Sequence, residues 1–215
     1  MVSLVKVNLY IMTICIQYEK IIKILDIHED EYNARLTVKQ RDEIAIYRND
    51  ILLSCLEGLE KLEIENNAYG KPIVINYPQL AFNQSHSQHY YALAYSLNVL
   101  NLGIDIEDFS RNIRMLALAE HCFHTEEIKK WEETKRDKLF WLKVWTTKEA
   151  VLKAHGLGIR LDLKTVNTNI VDGQDFGIIQ HEQLGIFRYH NFQLEKSMMT
   201  VAYEDTGFNW DVIFK

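Results

Sequence analysis

Hydrophobic and polar residues alternate at the start of the chain and recur at helical spacing farther along it. Residues 5–17 alternate as a strand does, and no small-residue cleavage site follows them, so they predict a buried strand rather than a signal peptide. A short acidic helix is predicted over residues 26–36. Thr37 and Gln40 fit a capping box, which predicts a second helix from Thr37 to about residue 62.

Turn-forming residues at positions 66–72 close this helical region, and short strands and helices share the rest of the chain. Gly156 fits the left-handed residue that often ends a helix. Because both halves contain helices and strands and no linker separates them, we predict an α+β fold with halves at residues 1–100 and 101–215. The predicted strands are residues 73–76, 81–84, 91–97, 104–107, 177–180, 185–191, 199–203 and 211–214, and the further helices are residues 111–119, 125–131 and 138–155.

Composition excludes several classes of protein. The 215 residues are 47% hydrophobic and 25% charged, as in ordinary globular proteins, and no window reaches the ~18 consecutive apolar residues of a membrane span. Three cysteines without close spacing indicate reduced thiols and therefore a cytoplasmic protein. The net charge of −6 disfavours nucleic-acid binding. We therefore expect neither a membrane nor a nucleic acid as partner.

Positive charge is concentrated between Lys129 and Lys153, where eight Lys or Arg against four acidic residues leave a charge of +4. A solvated helical surface would produce this pattern, and so would a docking face for an anionic ligand or an acidic partner.

Two carboxylates in the run Gly103-Ile104-Asp105-Ile106-Glu107-Asp108 are the first candidates for chemistry. The period of two along a strand places Asp105 and Glu107 on one face and Ile104 and Ile106 on the other. Adjacent carboxylates repel unless a cation lies between them, and hard oxygen ligands at this spacing suit Mg²⁺. An exposed acidic strand end would show the same spacing.

Three charged residues of the predicted helix at 138–155 stand out against an apolar face. At ~100° per residue, Lys148 projects into the middle of that face, whereas Glu149 and Lys153 lie one turn apart at its edge. A charge within an apolar face is costly without a partner, so a bound anion near Lys148 is attractive. A snorkelling lysine beside an ordinary ion pair is the alternative. The apolar face is formed by Trp141, Trp145, Val151 and Leu152.

The helix that begins after Thr37 places Arg48 at the centre of its apolar face and Arg41 within that face, whereas Ile46 points outward. An inward arginine requires a carboxylate or a phosphate, so either a structural salt bridge or a phosphate ligand would explain Arg48. In the run Phe82-Asn83-Gln84-Ser85-His86-Ser87, hydroxyl groups flank His86, and they could bind phosphate or order a turn.

Together these motifs resemble the Sfp-type 4′-phosphopantetheinyl transferases over roughly residues 35–160. Phe123-His124-Thr125-Glu126-Glu127 is similar to that family's Phe-x-x-x-Glu element. The other motifs occur in the family's order: Gly70-Lys71-Pro72, Phe82-Asn83-Gln84-Ser85-His86-Ser87, Gly103-Ile104-Asp105-Ile106-Glu107, and Trp145-Thr146-Thr147-Lys148-Glu149-Ala150-Val151-Leu152-Lys153. The tail beyond Thr165 carries no motif that matches.

The resemblance implies an enzyme that moves the 4′-phosphopantetheine arm of coenzyme A onto a serine of an acyl or peptidyl carrier protein and releases 3′,5′-ADP. It also implies two similar α+β halves that form a pseudo-dimer within a monomer, with the active site in the cleft between them. The acidic helices of such carriers would favour the docking interpretation of the basic window at residues 129–153.

The resemblance further implies roles for individual residues. Glu149 and Lys153 would be catalytic, with Glu149 as the base for the carrier serine. The Mg²⁺ ligands would be Asp105, Glu107 and Glu149. The coenzyme A contacts would come from Arg48, Lys71, Ser85, His86 and Lys148, with Arg35, Lys39 and Arg41 as further candidates.

Two other functions use the same residues. A Mg²⁺-dependent phosphodiesterase or nuclease would need similar carboxylates and lysines, although the net acidity and the lack of a long basic track count against it. A non-catalytic carrier-binding module would not need the complete set of Asp105, Glu107, Glu149 and Lys153.

Overall fold

The computed structural model describes residues 12–32, 35–99, 101–156, 161–207 and 210–215, and within them it has five α-helices and ten β-strands. The α+β class is therefore confirmed. The strands are β1 (Met12–Lys20), β2 (Ile64–Asn66), β3 (Pro72–Val74), β4 (Ala81–His86), β5 (Tyr90–Ser96), β6 (Leu102–Asp108), β7 (Phe176–His181), β8 (Gly185–Gln193), β9 (Ser197–Glu204) and β10 (Trp210–Phe214). The helices are α1 (Ile21–Ile24), α2 (Val38–Ser54), α3 (Met115–Cys122), α4 (Thr125–Glu133) and α5 (Lys138–His155).

Two four-stranded sheets form the body of the molecule. The first sheet has the order β10-β1-β5-β4 and the second has the order β6-β9-β8-β7, while β2 and β3 form a separate hairpin. All pairs are antiparallel except β1 with β10, where Ile14 lies opposite Val212. Because β10 completes the first sheet, that sheet contains residues assigned by the predicted boundary at residue 100 to the second half.

The sheets stack face to face between two long helices. Successive side chains of a strand point to opposite faces, and in both sheets each face carries buried apolar residues. The helix α2 covers the outer face of the first sheet, and α5 covers the outer face of the second sheet. The core between the sheets is formed by Ile14, Ile16, Tyr90, Ala92 and Ala94 from the first sheet and by Leu102, Ile104, Ile106, Met199, Val201 and Tyr203 from the second.

The two long helices begin where the sequence predicts. The Thr37 hydroxyl accepts a hydrogen bond from Gln40 N at 3.2 Å and Gln40 Oε1 accepts one from Thr37 N at 2.9 Å, which confirms the capping box. The Asp137 carboxylate caps α5 through Phe140 N at 2.8 Å. Gly156 ends α5 with a φ of 82°, as predicted.

Three predictions about the N-terminal half differ from the structure. The helix predicted over residues 26–36 is wrong: the described residues of that range contain a single 3₁₀ turn at Glu29–Glu31, and the one-turn helix α1 precedes the range; residues 33 and 34 lie outside the described part of the chain. The helix α2 ends at Ser54 rather than near residue 62, because residues 61–66 run beside residues 72–76 and Asn76 Nδ2 donates to Lys61 O. The strand β2 was not predicted.

The strand predicted over residues 5–17 is β1, which continues to Lys20; residues before Met12 lie outside the described part of the chain. No helix in the described ranges combines the length and the apolar character needed to cross a bilayer.

Gly103 allows β6 to lie directly against α5. A Cβ atom at this position would be 2.1 Å from Ala150 O and 2.4 Å from Ala154 N, both of which are backbone atoms that a rotamer change cannot move. Only a residue without a side chain therefore fits at this contact.

We expect Gly103→Ala to lower the free energy of unfolding by about 3 kcal/mol or more, because the helix and the strand must separate to admit the methyl group. Urea denaturation measures the change. Gly58→Ala is the comparison, since Gly58 has a φ of 73° but open space around it and the cost there is only about 1–2 kcal/mol of backbone strain. Equal costs for the two variants would contradict the close contact.

Candidate active site

A cleft lies where the edge strands β4 and β6 run side by side next to α5. Asn83 on β4 is buried and its Oδ1 accepts a hydrogen bond from Ile104 N at 2.9 Å, which joins the two sheets. Two cavities of about 460 Å³ and about 290 Å³ adjoin at Gln84, which lines both. The cleft thus brings together the motifs on β4, β6 and α5.

Asp105 and Glu107 point from β6 toward α5, on the face opposite Ile104 and Ile106, as the strand period predicts. Asp105 Oδ1 accepts hydrogen bonds from Lys153 Nζ at 2.6 Å and from the Ser85 hydroxyl at 3.0 Å. Lys153 Nζ also donates to Ser85 Oγ at 2.9 Å. Ser85, Asp105 and Lys153, three residues from separate motifs, therefore meet in one hydrogen-bonded group.

Glu107 and Glu149 complete an acidic group around Asp105. Glu107 Oε1 accepts hydrogen bonds from Arg111 and from Trp145 Nε1, the latter at 3.3 Å. Burial raises the pKa of Glu149, and the nearby Asp105 and Glu107 carboxylates raise it further, although Lys153 opposes them. Burial also raises the pKa of Glu107, against the hydrogen bond from Arg111. The three carboxylates are thus close enough to repel one another.

The chemistry of these donors fits a divalent cation. Asp105 Oδ2 is buried and has no hydrogen-bond partner, and the mutual repulsion of the carboxylates is what a hard cation would relieve. In their present positions, however, no three His, Cys, Asp or Glu side chains of the described residues are close enough to one another to hold a metal ion. Lys153 and Arg111 hold Asp105 and Glu107 instead.

The larger cavity is basic. Of the described residues that line it, three are arginines (Arg35, Arg41 and Arg48) and none is acidic. Ser85 and His86 also line it. Burial and the neighbouring Lys153 lower the pKa of His86. A negative ligand in the cavity would raise that pKa again, because it would stabilise the protonated form of the ring.

Arg48 lies on the inner side of α2, as predicted, while Ile46 is 60% exposed on the outer side. Its guanidinium donates to Asn49 Oδ1 at 3.0 Å and 2.9 Å and lies 5.4 Å from the centre of the Phe82 ring. Burial lowers the pKa of Arg48. Within the described part of the chain, no carboxylate forms an ion pair with it, so the alternative of a structural salt bridge loses support.

Lys71 lines the smaller cavity together with Glu149 and Lys153. Its ammonium group donates to Ala154 O at 2.7 Å and to Leu102 O at 3.1 Å, near the end of α5 and at the start of β6. Burial lowers the pKa of Lys71 to about 8. Lys71 therefore ties the β2–β3 hairpin to the helix that carries Glu149 and Lys153.

Lys148 does not face the cleft, so its prediction as a coenzyme A contact is corrected. Its side chain is fully buried and its Nζ lies 2.9 Å from Glu127 Oε2, with Leu163 O and Val166 O as further acceptors. The anion that compensates Lys148 is therefore part of the protein. Glu127, the acidic residue of the Phe-x-x-x-Glu element, also accepts a hydrogen bond from Thr168 N at 2.8 Å.

Two charged residues near the cleft were not predicted. Arg111 contacts Glu107 from the loop after β6. Asp108 is buried under the turn between β4 and β5, where it accepts from the Ser87 hydroxyl at 2.8 Å and from Gln88 N at 2.7 Å. Burial raises its pKa, but the hydrogen bonds from Ser197, Ser87 and His89 hold it below its usual value. The run of residues 103–108 includes Asp108, but the sequence did not predict which groups would form hydrogen bonds with it.

The basic window at residues 129–153 is not a single exposed surface. Lys148 is buried, Lys153 lies in the cleft, and Lys143 pairs with Asp175 at 2.6 Å. The remaining charges are carried by residues on α4, on the turn after it and at the start of α5. The surplus of +4 therefore overstates the charge available for a docking partner.

We expect Lys148→Met to lower the free energy of unfolding by about 3–5 kcal/mol, because it leaves Glu127 buried without a counterion. Chemical denaturation of Lys148→Met, Glu127→Gln and the double variant measures the coupling, and the double variant should lose much less than the sum of the single losses. Lys143→Met on the same helix is the control and should cost about 1 kcal/mol or less. Additive losses at Glu127 and Lys148 would show that another anion compensates the lysine.

Comparison with known proteins identifies a similar family over the segment that carries the charged residues of the cleft. The model of the 4′-phosphopantetheinyl transferase superfamily matches residues 101–203, the segment that contains Asp105, Glu107, Glu149 and Lys153. The chain is 31% identical over 119 residues to 4′-phosphopantetheinyl transferase psf-1 of Bacillus pumilus and 30% identical over 118 residues to 4′-phosphopantetheinyl transferase ffp of Bacillus subtilis. It is 33% identical over 119 residues to a putative 4′-phosphopantetheinyl transferase of Synechocystis.

The chain spans about half the length of the curated relatives it matches. The alignments cover 54%, 52% and 53% of this chain and 49%, 50% and 47% of the Bacillus pumilus, Bacillus subtilis and Synechocystis proteins. The family model and the alignments agree on one family, and the match includes the strand and the helix that carry the acidic group. Over residues 101–203 the chain is therefore similar to the 4′-phosphopantetheinyl transferase superfamily.

Proposed function

We propose that the protein transfers the 4′-phosphopantetheine arm of coenzyme A to a serine of an acyl or peptidyl carrier protein and releases 3′,5′-ADP. The observation that carries the proposal is the convergence of Ser85, Asp105, Glu149 and Lys153 on one cleft beside a basic cavity. The similarity of residues 101–203 to the 4′-phosphopantetheinyl transferase superfamily supports the proposal.

The phosphate groups of coenzyme A would bind in the larger cavity. Arg48 has no carboxylate partner among the described residues, and Ser85 and His86 reach the same cavity from β4. A charge-assisted bond to phosphate would replace the weaker contact of Arg48 with Asn49. The smaller cavity would then receive the part of the ligand between Lys71 and Lys153, with Lys71 acting mainly through the backbone of α5.

Mg²⁺ would be held by Asp105, Glu107 and Glu149, and it would supply positive charge to the oxygens of the pyrophosphate. The free oxygen of Asp105 supports this assignment, because Oδ1 is already taken by Lys153 and Ser85. One oxygen of Glu107 is likewise taken by Arg111 and Trp145.

Glu149 and Lys153 would divide the chemistry between them. Because burial and its acidic neighbours raise the pKa of Glu149, this carboxylate is a better proton acceptor than an ordinary glutamate. Glu149 would take the proton of the carrier serine as the serine oxygen bonds to the phosphorus next to the pantetheine arm. The bond from that phosphorus to the bridging oxygen breaks, and Lys153 would offset the charge that develops on the departing 3′,5′-ADP.

The arrangement of the halves would be the pseudo-dimer of the family, in a cytoplasmic monomer. The first half supplies three strands of one four-stranded sheet and the second half supplies all four strands of the other, each sheet has a long helix on its outer face, and the cleft lies where the two sheets meet. The carrier would present its acidic surface to the lysines and arginines around the cleft.

Incubation of the protein with a carrier protein, coenzyme A and Mg²⁺, followed by mass spectrometry of the carrier, tests the proposal. We expect the carrier to gain the phosphopantetheine arm. Glu149→Gln should lower the single-turnover rate by about 100-fold or more while coenzyme A still binds, because the variant keeps the size of the side chain but loses the base. Lys143→Met is the control and should transfer at the wild-type rate. An unmodified carrier, with cleavage of added DNA or RNA, would indicate a phosphodiesterase instead.

Arg48→Ala should weaken coenzyme A binding by roughly tenfold to a hundredfold, because it removes a charge-assisted bond worth about 1.5–3 kcal/mol. Its thermal stability should change little, since no carboxylate is left unpaired. Calorimetric titration beside a melting curve measures both properties. Lys39→Ala is the control on the same helix: although the sequence made Lys39 a further candidate, it is exposed, pairs with Glu43 and is not among the residues that line the cavity. Normal coenzyme A affinity in an unstable Arg48→Ala variant would contradict the phosphate role.

A further inference from the structure

Arg111 brings a positive charge to the acidic group from outside the matched motifs. The residue lies three positions beyond the end of β6, and its guanidinium pairs with Glu107 Oε1. The hydrogen bond to Glu107 raises the pKa of Arg111, and the charges of Asp105 and Glu149 raise it further. The guanidinium therefore lies within the field of all three carboxylates and not only beside one of them.

The charges of the cleft explain why this contact forms. Three carboxylates, Asp105, Glu107 and Glu149, are countered by two cations, Lys153 and Arg111. Lys153 occupies Asp105 Oδ1 and Arg111 occupies Glu107 Oε1. The two cations thus neutralise the same carboxylates that the proposed function assigns to Mg²⁺.

The two cations differ in how firmly the protein holds them. Lys153 has three acceptors, in Asp105, Ser85 and Ile104, and its side chain is 30% exposed. The side chain of Arg111 is 53% exposed. The backbone of Arg111 is anchored, because its N–H donates to Asp108 O and its carbonyl accepts from Lys138 Nζ at 2.9 Å. The side chain can therefore leave Glu107 without a change in the fold.

We propose that Arg111 is a positioning residue that competes with a divalent cation for Glu107. In the metal-free protein it holds the carboxylate and offsets the repulsion of the acidic group. When a cation binds, the guanidinium leaves Glu107, which frees that carboxylate to face Asp105 and Glu149. The proposal rests on the proposed function, in that it takes these three carboxylates as the cation ligands.

Binding of Mn²⁺ followed by electron paramagnetic resonance tests the competition without any transfer reaction. Arg111→Gln should lower the dissociation constant for Mn²⁺ by roughly threefold to tenfold, the size expected when a partly exposed ion pair no longer competes. Arg114→Gln is the matched control, because it removes the same charge three residues away at an exposed position. Its dissociation constant should stay within about twofold of the wild-type value.

A second measurement follows the metal-free state. Without Mn²⁺, Arg111→Gln should melt at a lower temperature than Arg114→Gln, because Arg111 pairs with Glu107 and offsets the carboxylate repulsion, whereas Arg114 forms no such pair in the described structure. Mn²⁺ should then raise its melting temperature more than that of the wild type. Unchanged or weaker Mn²⁺ binding in Arg111→Gln, with normal binding in the wild type, would overturn the competition and leave the proposed function intact. Absence of Mn²⁺ binding in the wild type and both variants would overturn the cation assignment and the competition together.

Discussion

The close contact between β6 and α5 at Gly103 determines the geometry of the cleft. A side chain at this position would collide with the backbone of α5 at Ala150 and Ala154. Because the strand lies directly against the helix, the residues that point from β6 toward α5 face the residues on the near edge of the helix. Asp105 and Glu107 therefore meet Glu149 and Lys153, and a wider spacing would separate these charges.

This contact also concentrates negative charge in the cleft, and the two lysines that flank Glu149 on α5 pair with different carboxylates. Lys153 remains in the cleft and pairs with Asp105, where it is close enough to reach a ligand. Lys148 is one residue before Glu149 on α5, but the ~100° turn between them sends it into the interior, where Glu127 neutralises it. Lys148 and Glu149, although consecutive in one motif, therefore have different roles. Glu149 faces the cleft, while Lys148 fixes α5 against α4 and the segment around Val166.

The two sheets are held in register by polar groups at their junction as well as by the apolar core between them. Asn83 joins β4 to β6, Lys71 joins the β2–β3 hairpin to both β6 and α5, and Asp108 joins the β4–β5 turn to β9 through Ser197. These groups are buried or partly buried and have specific partners, so they fix one relative position of the sheets. The basic cavity and the acidic group are adjacent because of this position.

The sequence by itself determined the local elements and the direction of many side chains. The period of two separated Asp105 and Glu107 from Ile104 and Ile106, and the helical period placed Arg48 and Lys148 on inward faces and Ile46 on an outward face. The capping residues placed the start of α2 and the end of α5. These features depend on backbone geometry over a few residues, which is why a pattern alone predicts them.

Only the tertiary structure decided what each side chain meets. Arg48 and Lys148 looked alike in the sequence, as cations within apolar faces, but Lys148 pairs with Glu127 from another helix whereas Arg48 lines a basic cavity. The described part of the helix predicted over residues 26–36 forms only a short 3₁₀ turn, the pairing of residues 61–66 with residues 72–76 ends α2 early, and β10 joins the first sheet beside β1. The last two outcomes depend on partners that lie beyond the reach of a local sequence pattern. Local periodicity shows which way a residue points, but the residue it meets depends on how the whole chain folds.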